Sequence, residues 1–147
     1  MPKVDFYILD IDAKTDAGRF ACRLTEKAYH TGLKIFICTA SEQQAQKLDE
    51  LLWTFKQGSF LPHERIENTP TQSNSLPIPI LIGNHLDENQ PRDILINLKA
   101  QLPEYPERFQ RIAELVYNDN EEKQAARERF RYYRDQGYEV NSHEIRI

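Results

Sequence analysis

KIFICT, at residues 34–39, has the length and apolar composition of a buried β-strand, and the rest of the fold can be built outward from it. Before it, a segment running from Asp16 or Gly18 through His30 has apolar residues at helical spacing on one side. Earlier still, VDFYIL at residues 4–9 is a second compact apolar run. The first third of the chain therefore predicts a strand, a helix and a second strand.

After the strand at residues 34–39, Ser41 and Gln44 form the capping-box pattern S-x-x-Q, which marks the start of a helix. That helix has apolar residues at helical spacing, namely Ala45, Leu48, Leu52 and Phe55. Alternation of strands and helices is typical of a parallel sheet with right-handed crossovers. The sequence therefore predicts an α/β fold, a mostly parallel sheet flanked by helices.

The second half of the chain continues this pattern. Short apolar runs predict strands at residues 78–82 and 94–98, and residues 138–147 have the pattern of a terminal strand. Residues 111–117 are ambiguous, because Glu114 weakens the strand pattern and the segment is short for a helix.

A basic helix is predicted before the terminal strand, over KQAARERFRYYR at Lys123–Arg134. Asn118 or Asp119 can cap it, and Gly137 can end it. At about 100° per residue, four cations share an arc of roughly 80° on one face. These are Lys123, Arg127, Arg131 and Arg134, and Phe130 borders them.

Like charges at helical spacing repel each other by a few tenths of a kcal/mol per pair. A stripe of this kind on a chain of net charge −4 indicates an acidic partner. A solvated helix face, partly compensated by Glu128, is the competing interpretation.

Composition limits the function. With 147 residues the chain fits one domain, residues 1–147, and a pI of about 5.6 argues against whole-surface nucleic-acid binding. Cys22 and Cys38 are expected to be buried free thiols in a reducing compartment. The N-terminus lacks a signal-peptide pattern and no apolar run reaches the length of a membrane span, so a cytoplasmic protein is expected.

Asp10 and Asp12, directly after the first strand, are the candidate catalytic residues. Haloacid-dehalogenase-like phosphatases place D-x-D there, the first aspartate attacking phosphorus and magnesium binding among the carboxylates. Ala13 and Lys14 replace the usual glycine and threonine, and no late acidic pair follows a strand. We therefore predict no catalytic residue, with a small magnesium-dependent phosphatase as the alternative.

Sites for cofactors and metals have no sequence signature either. No phosphate-binding GxxxxGK[ST] or GxGxxG motif and no serine-hydrolase elbow occurs. The four histidines are scattered, and the cysteines form no CxxC or Cys/His cluster. We therefore expect neither a cofactor nor a bound metal.

An aromatic group surrounds the predicted loop at residues 57–63. Trp53 closes the second helix, and Phe55, Phe60 and Leu61 follow it closely. These residues either complete the core beneath the loop or form an anchor patch for a protein partner, because Trp and Phe are frequent at such interfaces.

Five segments in a fixed order resemble one known family. They are FYILD at 6–10, QAQKLDELLW at 44–53, SFLPH at 59–63, RDILINL at 92–98 and KQAARERFRYYR at 123–134. In order and spacing the chain resembles the chi subunit of bacterial DNA polymerase III, over essentially its whole length. The resemblance implies a Rossmann-like fold without nucleotide binding and a non-catalytic role in the clamp-loader assembly.

The resemblance also implies two protein partners. One is the psi subunit, and the other is the acidic C-terminal tail of single-stranded-DNA-binding protein, so that contact with DNA would be indirect. The implied tail-binding residues are Lys123, Arg127, Phe130, Arg131 and Val116. The implied psi-binding residues are Trp53, Phe60, Pro62 and His63. Direct binding of single-stranded DNA, with Phe130 and Tyr133 stacking on bases, is a third hypothesis.

Overall fold

The structure, a computed structural model, describes residues 2–10, 14–56, 58, 60–66, 78–86, 92–117 and 119–146. In chain order its elements are β1 (Lys3–Asp10), α1 (Lys14–His30), β2 (Ile35–Cys38), α2 (Glu42–Thr54), β3 (His63–Arg65), β4 (Ile80–Gly83), β5 (Ile94–Asn97), a 3-10 turn (Pro106–Arg108), β6 (Arg111–Tyr117), α3 (Asn120–Asp135) and β7 (Glu139–Arg146).

The seven strands of the described chain form one sheet in the order β3-β4-β2-β5-β6-β1-β7. All of the strand pairs are parallel, which confirms the predicted α/β class. Helices α1 and α2 pack on one face of the sheet, while α3 packs on the other. Because each strand of the central trio β4, β2 and β5 is covered on both faces, all four residues of each are buried.

Several boundaries differ from the predicted ones. Helix α1 begins at Lys14, earlier than Asp16 or Gly18. The strand expected from residue 78 begins at Ile80, after Pro79, which has no N–H to donate to the sheet. The three-residue strand β3 was not predicted, because it is too short to show an alternating apolar pattern.

Glycine ends two of the three helices as expected. Gly32 and Gly137 follow α1 and α3 with φ of 83° and 90°, a left-handed conformation that favours glycine. At the start of α2, Ser41 Oγ accepts from the N–H of Gln44 at 3.1 Å, and Gln44 Oε1 accepts from the N–H of Ala40 at 2.7 Å. Both stop signals and the capping pattern are thereby confirmed.

Both cysteines are free and buried, as predicted. Burial raises the pKa of the Cys22 thiol to about 12 and that of Cys38 to about 11. Thiols with such values stay protonated at neutral pH and are weak nucleophiles. None of the described helices is both long and apolar enough to cross a membrane.

Candidate protein-binding surfaces

Helix α3 presents its cations to solvent, as the sequence predicts. Arg127, Arg131 and Arg134 are exposed, and Lys123 is half-buried. Their contacts on the helix are weak: Arg127 Nη1 lies 3.4 Å from Gln124 Oε1, and the Arg134–Asp135 ion pair is 3.9 Å long and largely solvent-exposed. The guanidinium groups therefore remain available to an anionic partner.

Phe130 lies beside these cations with its ring partly buried. Its centroid is 5.4 Å from that of Phe6 on β1, and it packs against the apolar cluster on the α3 face of the sheet. Val116 belongs to the same cluster and is completely buried. Val116 therefore has no exposed surface in this conformation, and a residue that was expected to contact a bound peptide lies inside the fold.

The inner face of α3 is tied to the sheet by a buried polar cluster. Glu114 on β6 accepts hydrogen bonds from Tyr133 Oη and Asn97 Nδ2, both at 2.8 Å. Arg129 Nε lies 3.4 Å from Glu114 Oε1, and Arg129 Nη1 donates to the Ala100 carbonyl at 2.9 Å. These partners explain why a strand tolerates Glu114 at a buried position.

Burial is the main influence on the Glu114 carboxyl. It raises the pKa to about 7, while Arg129 and the hydrogen-bond donors oppose that rise. Tyr133 is fully buried in this cluster, and burial raises the pKa of its phenol. Stacking of Tyr133 on a nucleic-acid base is therefore wrong as a hypothesis, because no base can reach the ring.

Arg129 supports the α3 surface from inside the fold, and its buried position was not predicted from the sequence. In the sequence it is one of several cations in KQAARERFRYYR, but the structure buries it while Arg127 and Arg131 face solvent. Its helical position, about 240° around from Lys123, places it on the side of Ala126 and Tyr133. The helical position of Arg129 could therefore have indicated that it faces the sheet. Glu114 on β6, an acid within an apolar segment, could have indicated its partner.

A second surface lies at the end of α2, beside the edge strand β3. Trp53 is 51% exposed and Phe60 67% exposed, and their ring centroids are 5.4 Å apart. Leu61 is 1% exposed, and Phe55 packs partly buried against the core. The structure thus divides the aromatic group: Leu61 and Phe55 complete the core, whereas Trp53 and Phe60 form an exposed pair.

His63 supports this pair from below. Its side chain is fully buried, with its ring centroid 4.6 Å from that of Trp53. Nδ1 lies 2.6 Å from the Leu61 carbonyl oxygen, and Nε2 lies 3.0 Å from Asp49 Oδ1. Of the residues expected to contact a partner here, Pro62 is half-buried and His63 lies underneath.

The two surfaces lie far apart. Helix α2 packs beside β3 and β4, whereas α3 packs on β6 and β7 across the opposite face. At about 4.8 Å per strand, β3 and β6 are separated by roughly 19 Å, and the thickness of the sheet adds to this. One partner of modest size could therefore occupy either surface without blocking the other.

The residues considered for catalysis give no comparable site. Asp10 ends β1, but its side chain and the whole of Asp12 lie outside the described residues. Thr39 directly follows β2, where the second motif of haloacid-dehalogenase-like phosphatases would lie; it is buried, and its hydroxyl has no hydrogen-bond partner in the described structure. Among the described residues, no group of His, Cys, Asp and Glu could hold a metal ion.

Comparison with known proteins shows which family the chain resembles over its length. The family model described as "DNA polymerase III chi subunit, HolC" matches residues 1–141. Proteins named DNA polymerase III subunit chi are 37% identical in Pseudomonas aeruginosa, 33% in Haemophilus influenzae and 30% in Escherichia coli. These alignments cover 99%, 95% and 97% of this chain, and 98%, 95% and 97% of the three relatives. The similarity is therefore one of whole chains.

Proposed function

The chain belongs to the family of DNA polymerase III chi subunits, accessory subunits of a replication enzyme, and on that premise we propose that it is an adaptor with two protein partners. One surface binds the acidic C-terminal tail of single-stranded-DNA-binding protein, and the other binds the psi subunit of the clamp loader. In this role the domain, residues 1–147, works in the cytoplasm without a cofactor and reaches DNA through its partners. The phosphatase alternative loses its support, because the family is an accessory subunit.

The observation that carries the proposal is the division of charge on α3. Arg129 turns inward onto Glu114, while Lys123, Arg127 and Arg131 remain beside Phe130. An acidic peptide that ends in an apolar side chain and a carboxylate needs cations around an apolar surface. Arginine can hold the terminal carboxylate through two parallel hydrogen bonds, and lysine adds a point charge.

The exposed rings of Trp53 and Phe60 support the proposed psi-binding surface. A half-exposed tryptophan and a two-thirds-exposed phenylalanine in contact form an apolar patch that water solvates poorly. Trp is enriched among residues that dominate binding energy, and a binding site is more precise when packing locks the side chains that form it. Here the His63 ring packs against Trp53, and Asp49 contacts the His63 ring.

A pull-down with two forms of single-stranded-DNA-binding protein tests the adaptor role. The full-length protein should be retained by this chain, whereas the form lacking its C-terminal tail should be lost. A scrambled tail of the same charge, fused at the same place, controls for attraction by charge alone. Equal retention of the tailed and tailless forms would overturn the proposal for α3.

A further inference from the structure

Helix α1 carries a second cationic stripe. Arg19, Arg23 and Lys27 are exposed and spaced four residues apart, and His30 extends the row. At about 100° and 1.5 Å per residue, the four positions share an arc of roughly 80° and extend over about 16 Å. This 4-4-3 spacing is the same as that of Lys123, Arg127, Arg131 and Arg134 on α3.

The stripe on α1 is not neutralised from within the described structure. No ion pair joins Arg19, Arg23 or Lys27 to another described residue. Glu26 is the neighbouring acid, and it lies 3.5 Å from Lys56 Nζ at the end of α2. The positive charge of the stripe therefore faces solvent, on a chain whose net charge is −4.

A row of rings borders the stripe on the side of the sheet edge. Phe20 lies about 100° around the helix from Arg19, and its centroid is 5.4 Å from that of Tyr7 on β1. Tyr7 in turn stacks on His143 of β7, with centroids 5.1 Å apart and planes at 21°. The His143 side chain is 45% exposed, so the row opens to solvent at the edge strand.

Two described acids near this row already have cationic partners. Asp5 is almost buried, with Oδ1 2.9 Å from His143 Nε2 and Oδ2 3.4 Å from Arg111 Nη2. Glu139 lies 3.6 Å from Lys3 Nζ. Among the described residues, an incoming anion thus meets cations on α1 and a histidine on β7, while the carboxylates of Asp5 and Glu139 are already paired.

We propose that the α1 stripe and the Phe20–Tyr7–His143 row form a binding surface for a single nucleic-acid strand. The cations hold successive phosphates, and the exposed edge of the ring row accepts a base by stacking, which is sequence-tolerant. An acidic peptide fits less well, because the surface offers a row of ring contacts along an open edge, which suits stacked bases.

The size of the surface sets the strength of binding. Three or four phosphate contacts make a weak site whose affinity falls steeply with salt, with a log–log slope of roughly −0.7 per phosphate on a single strand. A weak contact suffices when a partner already holds the protein close to the strand, because tethering raises the local concentration. The inference adds a weak direct contact with the strand to the indirect contact of the adaptor role, and it is tested without either protein partner.

Fluorescence anisotropy of a labelled oligothymidylate of about 20 nucleotides, titrated with the full chain at low salt, tests the inference. The triple variant Arg19→Ala/Arg23→Ala/Lys27→Ala should bind about tenfold or more weakly, and its salt slope should be smaller by about two. The triple variant Lys123→Ala/Arg127→Ala/Arg131→Ala is the matched control, since it removes the same charge from α3 and should bind nearly as wild type.

A second variant separates stacking from charge. His143→Gln keeps an amide N–H for Asp5 but removes the ring, and should weaken binding severalfold while the salt slope stays unchanged. Normal binding by the α1 triple variant, or equal weakening by both triple variants, would overturn the proposal. So would a labelled polyglutamate peptide that binds wild type as tightly as the oligonucleotide and loses affinity in the α1 variant.

Discussion

Glu114 on β6 and Arg129 on α3 form an ion pair from which water is excluded, with Glu114 Oε1 3.4 Å from Arg129 Nε and side-chain exposures of 0% and 4%. A buried pair of this kind adds little net stability, because desolvation offsets much of its attraction, but breaking it is costly. Its effect here is geometrical. It fixes the rotation of α3 about its axis, and that rotation leaves Arg127 and Arg131 facing solvent.

The Glu114 carboxyl should make stability depend on pH. Its pKa is raised from 4.5 to about 7 in the folded chain, so between these values the folded state keeps a proton that the unfolded state has lost. Stability should therefore fall as pH rises from about 4.5 to about 7, by an amount on the order of 3 kcal/mol or less, and level off above. Urea unfolding at half-unit pH steps measures this.

Glu114→Gln is the control for that measurement, because glutamine has nearly the same shape but cannot titrate. Its oxygen can still accept from Asn97, and its NH2 group can donate to the Tyr133 hydroxyl oxygen. The free energy of unfolding of wild type minus that of the variant should decline over this pH window. Parallel curves for the two proteins would show that Glu114 keeps an ordinary pKa.

Arg127→Ala and Arg131→Ala should each weaken binding of the acidic tail peptide by roughly 1–3 kcal/mol, since each removes a charge-assisted hydrogen bond. Lys47→Ala, which removes an exposed cation from α2, should leave binding unchanged. Added salt should weaken wild-type binding, because exposed charges are screened over about 8–10 Å. Anisotropy of a labelled peptide measures all three effects, and wild-type affinity in both arginine variants would remove the stripe from the site.

Phe60→Ala should reduce binding of psi by about 2 kcal/mol or more while tail binding stays at the wild-type value. The ring is two-thirds exposed, so its removal should cost little stability, and thermal melting checks this. Calorimetry with psi and with the tail peptide measures the two affinities. If the folded variant binds psi normally, Phe60 is not part of the psi-binding surface. If the folded variant also loses affinity for the tail peptide, the two surfaces are not separate.

Cys22 and Cys38 should react slowly with a thiol reagent at pH 8 in the native state, because burial raises both pKa values to about 11 or above. In denaturant both thiols should react rapidly, and this sample gives the reference value of two labelled cysteines per chain. Mass spectrometry of the labelled chain measures the extent, and rapid native labelling of either cysteine would contradict the burial.

Local sequence patterns predicted most of the fold. Apolar runs located β1, β2 and β5, the Ser41 capping box located α2, and the phase of KQAARERFRYYR placed Arg127 and Arg131 on one face. Each of these signals depends on residues within one or two turns of each other, so no knowledge of packing is needed.

Contacts between elements, and the burial that results from them, could not be predicted from such local patterns. The pairing of Glu114 with Arg129 joins two elements, and neither residue alone shows that the other is its partner. Burial of Val116 and His63 likewise depends on which surfaces meet. A family pattern can mark such residues as part of a site, but it does not distinguish a residue that contacts a ligand from one that supports the contact.

The final prediction uses the single tryptophan of the chain as a reporter. Since Trp53 is 51% exposed, acrylamide should quench its fluorescence readily in the free protein. Binding of psi should shift the emission to shorter wavelength and reduce quenching, because an interface centred on Trp53 and Phe60 removes water from the indole. Psi should be prepared with any tryptophan replaced by phenylalanine, so that the signal belongs to this chain alone.

Two comparisons make the result specific. The acidic tail peptide, at saturation, should leave the Trp53 emission and quenching unchanged, because α3 lies on the opposite face of the sheet. His63→Ala should increase quenching in the free chain and weaken the response to psi, since the ring 4.6 Å from Trp53 no longer holds the indole in place. If psi does not change the Trp53 emission, or if the tail peptide changes it equally, Trp53 is not at a separate psi-binding surface.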